Sequence, residues 1–83
     1  MRPDYVEAHI NMGIDLAGAG RIQEALEEFQ QAARINPNSA EAHYNLAKAY
    51  ALTGKRPEAL REFQVVQALN PGLAARLHEI TGK

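Results

Sequence analysis

Ala40-Glu41-Ala42-His43-Tyr44-Asn45-Leu46-Ala47-Lys48-Ala49-Tyr50 repeats a stretch already used 34 residues earlier, Val6-Glu7-Ala8-His9-Ile10-Asn11-Met12-Gly13-Ile14-Asp15-Leu16. Extending that register without a gap over residues 6–39 and 40–73 gives 14 identities in 34 positions, among them His9/His43, Asn11/Asn45, Gly20/Gly54, Glu28/Glu62 and Phe29/Phe63. Pro3, Pro37 and Pro71 carry the same spacing through the whole chain. A period of this length marks stacked supersecondary units rather than one rounded core. The 83 residues divide into 5 leading residues, two units of 34 and 10 trailing residues.

Punctuation inside each unit separates two helices. Asp4 with Glu7, and Asn38 with Glu41, have capping-box spacing, in which a side chain and the acid three residues later satisfy unpaired backbone donors. Gly20 and Gly54 stand where a chain leaving a helix needs a left-handed residue. Arg56-Pro57-Glu58 opens a helix with Pro in the tolerated first turn. Asn36-Pro37 and Asn70-Pro71 close the units, because Pro restricts the residue before it and interrupts the helical ladder. The spacing predicts helices at about 4–18, 22–35, 39–52 and 57–69, with a shorter one at about 72–81.

A 34-residue helix-turn-helix with Ala8, Gly13, Ala25, Phe29, Ala32 and Pro37 at these places resembles the tetratricopeptide repeat (TPR), and the second unit follows the family pattern more closely. Departures are His9 and His43 at the usual Trp position, Leu16 for Tyr, and Val66 for Ala. The resemblance implies an all-α fold, a right-handed α-α superhelix: one TPR domain over residues 1–83, with repeat one at 6–39, repeat two at 40–73 and a capping helix at 72–81. The pair Asn11 and Asn45 is similar to the Asn ladder of TPR superhelices of the O-GlcNAc-transferase type.

At about 100° per residue, His9, Met12, Gly13 and Leu16 share one stripe of the first helix, and His43, Leu46, Ala47 and Tyr50 the same stripe of the third. These stripes, with Ala25, Leu26, Phe29, Ala32, Ala59, Leu60, Phe63 and Val66, are the expected core. Glu24, Glu27, Glu28, Arg34, Arg61 and Glu62 are the expected solvated outer face. A second stripe is left over beside the core: Ile10, Asn11 and Ile14, then Tyr44, Asn45, Lys48 and Leu52. The family resemblance makes this the concave groove that holds a peptide. An Asn there either offers its amide to peptide main chain or bonds its own helix, and both readings stand open. Ile10 and Ile14 occupy the places where co-chaperone members carry the Lys and Asn that clamp a terminal carboxylate, which disfavours chaperone tails as ligands.

Composition narrows the function. With 9 Lys plus Arg against 10 Asp plus Glu, the chain lacks the basic surplus of a nucleic-acid binder, and its apolar runs are too short to span a bilayer. The absence of Cys removes disulfides, thiolate ligands and thiol nucleophiles. His9 and His43 are a repeat apart, a spacing that favours packed histidines over metal ligands, and His78 stands alone. Ser39 is the only Ser, at a helix start, and Gly18-Ala19-Gly20 ends a helix instead of following a strand. The expectation is therefore a non-catalytic protein- or peptide-binding scaffold with no metal or cofactor, soluble and cytoplasmic in the absence of a signal or membrane segment. The alternatives are a self-associating module, as a homodimer or by helix swapping, and the substrate-recognition fragment of a larger enzyme. Leu73, Leu77 and Ile80 give the last helix one apolar face, as a terminal cap requires. The N-terminal end has no such lid, so the array is expected to be short by about one repeat there.

Overall fold

The computed structural model describes the backbone of residues 3–81 and the side chains of residues 5–76. The expected roles of the Asp4, Leu77, His78 and Ile80 side chains lie outside the described residues. Five helices follow in order: α1 (Pro3–Gly18), α2 (Ile22–Ile35), α3 (Ala40–Leu52), α4 (Arg56–Leu69) and α5 (Pro71–Thr81). There is no strand among the described residues. Each helix packs on the next. In addition α1 meets α3 and α3 meets α5, whereas α2 and α4 do not touch. The stack therefore curves, with α1, α3 and α5 on the inner side.

The turns repeat as the sequence does. Gly20 and Gly54 have φ of +83° and +79°, the only positive values among the described residues. Around the first, the Arg21 amide donates to the Leu16 carbonyl at 2.8 Å and the Gly20 amide to Ala17 at 3.0 Å. Lys55 to Tyr50 at 2.8 Å and Gly54 to Ala51 at 3.2 Å reproduce it 34 residues later. This is the paired closure in which a left-handed Gly lets the chain reverse and satisfy the last carbonyls.

Two caps differ from expectation. The N-cap of α3 is Ser39, whose Oγ accepts from the Ala42 amide at 3.2 Å, rather than Asn38, whose own amide donates to Asn36 Oδ1 at 3.1 Å. Leu73 stands where a second Ser39 would be and cannot cap. Asn70 takes over: its Oδ1 accepts from the Leu73 amide at 3.2 Å, and α5 begins at Pro71 without the intervening turn.

The core runs through the stack and contains Val6, Ile10, Ala25, Leu26, Phe29, Ala32, Ala42, Leu46 and Ala49, with Val66 and Ala74 buried further along. Phe29 lies against Gly13, where an added Cβ would overlap its ring. Two residues expected in the core are outside it. Met12 is 53% exposed and Leu60 63%, whereas their counterparts one repeat away, Leu46 and Leu26, are 3% and 5%. Burial at these positions requires the next unit of the stack, and α2 packing on α3 supplies it for Leu26 and Leu46 alone.

Candidate functional site

An open cavity of about 640 Å3 lies on the inner side of the stack, lined by Ile14 of α1, Ala40, Glu41, Tyr44, Asn45 and Lys48 of α3, Asn70, and Leu73 and Arg76 of α5. Its floor follows from periodicity: Glu41, Tyr44, Asn45 and Lys48 fall on one face of α3 at spacings of three and four. Buried Ala42, Leu46 and Ala49 hold the other faces against the core. The Lys48 ammonium lies over the Tyr44 ring, 5.3 Å from its centroid, a favourable cation–π placement.

Asn45 is 6% exposed, and its Nδ2 donates to the Glu41 carbonyl at 2.9 Å, one turn back. That carbonyl can only accept, which fixes the amide with its oxygen turned away. Asn45 Oδ1 accepts nothing from the described residues, none of which leaves a fully buried side-chain oxygen without a partner. The oxygen therefore meets solvent at the cavity.

Of the seven candidate groove residues, the structure brings Ile14, Tyr44, Asn45 and Lys48 into this one site. Ile10 is a correction. It is 2% exposed, in the core cluster that joins α1 to α3, because the inner sides of the two helices meet where Ile10 stands. Asn11 is exposed on α1, and Leu52 is exposed as the last residue of α3; neither lines the cavity. The sequence reading missed Asn70, Leu73 and Arg76. Their contribution depends on the early start of α5, for which the absence of a second Ser39 was the available signal.

The histidines are also better defined. His9 Nδ1 lies 2.7 Å from Glu28 Oε1, and His43 Nδ1 lies 2.5 Å from Glu62 Oε1, so each joins the two helices of its repeat. Glu28 and Glu62 are thus half-buried partners rather than members of a solvated outer face. The second ring nitrogen of His43, Nε2, donates to the Pro37 carbonyl at 2.7 Å. No group of three or more metal-ligating side chains occurs among the described residues. No helix there is long and apolar enough to cross a membrane.

Two family models match this architecture: a TPR repeat over residues 16–54 and a tetratricopeptide repeat over residues 40–73. Together they take in most of both helical hairpins, and the chain is a tetratricopeptide-repeat protein. A comparison with curated proteins gave no match. Such repeats serve as protein-binding and scaffolding modules.

Proposed function

We propose that the inner cavity binds an extended peptide segment of a protein partner, and that the module has no catalytic activity of its own. The observation that carries this reading is the convergence of α1, α3 and α5 on one concave site that combines apolar surface, Ile14 and Tyr44, with the open carbonyl of Asn45. An extended peptide presents one backbone N–H to such an acceptor, and its side chains meet the apolar surface on either side.

Selection of a random 12-residue peptide library on the immobilised protein, repeated on Tyr44→Ala, tests this reading. Peptides that bind the wild type and lose about tenfold or more in affinity for Tyr44→Ala are expected, the effect of removing a buried aromatic anchor. Selected peptides indifferent to Tyr44→Ala and to Ile14→Ala sink it.

A second reading, self-association, has its own observation. Met12 and Leu60, exposed at opposite ends, occupy the positions through which α2 and α3 pack inside the chain. Sedimentation equilibrium at two concentrations separates the two, since a monomer at both removes self-association.

A further inference from the structure

Lys48 and Arg76 reach the same cavity from different helices, α3 and α5, and neither forms an ion pair among the described residues. Glu41 is the one acid among the described residues of the lining, which carry two cations in a chain that is −1 as a whole. Two cations left unpaired on a concave surface concentrate positive potential there and draw in an anionic group. Lys48 is also held in place: its ammonium lies over the Tyr44 ring, which restrains a long side chain before any ligand arrives and reduces the ordering cost of binding.

We propose that the peptide taken by this groove is acidic, and that a side-chain carboxylate of Asp or Glu is received between Lys48 and Arg76. This rests on the peptide-groove reading and deepens it. The exposed guanidinium of Arg76 offers a planar, two-pronged donor set, and the Lys48 ammonium a point charge, which together suit a carboxylate. Ile14 lies on α1, on the far side of α3 from α5, so the ligand carries an apolar side chain at one end of the bound segment and its acid at the other. The last helix, which packs on α3 and α4, is then also a working wall of the site. Its early start, enforced by Asn70 capping in place of a second Ser39, is what puts Leu73 and Arg76 beside α3.

The test is the same random 12-residue library, selected in parallel on the wild type, on Lys48→Gln/Arg76→Gln and on Lys48→Glu/Arg76→Glu. Both positions are solvent-accessible, and circular dichroism checks that each variant stays helical. Expected are enrichment of Asp or Glu in the wild-type pool, its loss in the Gln variant with apolar selection retained, and enrichment of Lys or Arg in the Glu variant. Replacing the enriched acid of one synthetic wild-type peptide by its amide is expected to weaken binding about tenfold or more at low salt, and less at high salt. Peptides that depend on Tyr44 but show no acidic preference, or an acidic preference that survives in the Gln variant, overturn the carboxylate site and leave the groove standing. Peptides indifferent to Tyr44→Ala and Ile14→Ala overturn both. A single-stranded oligonucleotide bound more tightly than any acidic peptide, with loss in the Gln variant, assigns the cations to phosphate and overturns the proposal.

Discussion

Among the described residues His43 is held from two sides and His9 from one. The Pro37 carbonyl can only accept, so Nε2 of His43 carries a hydrogen, while Nδ1 meets Glu62; His9 meets Glu28 through Nδ1 and no second partner among those residues. The His43 side chain is also the less exposed of the two. Removing it strands a half-buried carboxylate and a carbonyl together. His43→Ala is therefore expected to lower the unfolding free energy by about 2–3 kcal/mol and His9→Ala by about 1 kcal/mol, since hydrogen bonds to ionised groups outweigh neutral ones and an abandoned partner adds its own cost. Urea melts of the two variants check the order, and equal losses contradict it. These pairs were written in the sequence and are easily passed over: 9 to 28 and 43 to 62 are the same 19-residue separation, and all four residues are repeat identities. Helical periodicity sorts residues by face on one helix at a time, which assigns Glu28 and Glu62 to solvent because it does not see a partner on the neighbouring helix. Ile10 is misplaced for the same reason. It and Ile14 share a stripe of α1, and only the approach of α3 puts one in the core and leaves the other at the cavity.

The helices themselves were legible because Gly, Pro and Asn punctuate them twice in the same register. What separates the two units is the chemistry of single caps. Ser39 caps α3 after a four-residue turn, whereas Asn70 both closes α4 and caps α5. Asn70→Ala is expected to cost about 1 kcal/mol, the usual worth of a side-chain cap, and to fall on α5. Hydrogen exchange then shows lost protection at residues 73–76 while α1 to α3 keep theirs; protection unchanged at 73–76 denies Asn70 that role. The first turn of α2 has no side-chain cap, but Arg21 and Glu24 pair across it through two hydrogen bonds. The hydrogen bond from Arg21 holds the Glu24 carboxyl below the usual carboxylate range. A lowered folded-state pKa means that this support is complete above the ordinary carboxylate pKa and fades as pH falls through the lowered one. Cα chemical shifts of residues 22–25 should accordingly lose helical character in the wild type as pH falls through that range, while Glu24→Gln, already without the ion pair, starts lower at neutral pH and shows no such step. Where α1 crosses α2 the constraint is steric. Gly13→Ala drives a methyl into the Phe29 ring and is expected to cost about 1–3 kcal/mol by overpacking, although Ala is the better helix former. A thermal melt showing stabilisation instead would mean that Phe29 moves aside freely.

At the scale of the molecule, stability is set by neighbours along the stack. A round core assigns each sequence position one burial, but a solenoid assigns it according to whether the next unit is present. Leu26 and Leu60 are the same residue at the same place in the repeat, 34 apart, and are 5% and 63% exposed. Leu26 belongs to the cluster that joins the two repeats, and Leu60 stands on α4 where no later helix hides it among the described residues. Truncation at Leu26 removes a packed side chain and leaves a cavity, while truncation at Leu60 removes one already in water. Leu26→Ala is expected to lower the unfolding free energy by about 2–4 kcal/mol and Leu60→Ala by less than about 0.5 kcal/mol, each measured by urea denaturation of dilute protein. Leu46 and Met12 form the mirror-image comparison at the other end and should show the same ratio. The dilution matters, because a second copy stacked on either end would bury Leu60 or Met12 and raise the cost of its truncation. A Leu60→Ala penalty that grows toward the Leu26→Ala value as protein concentration rises therefore identifies association through that end. A penalty that stays small at every concentration removes association through that end.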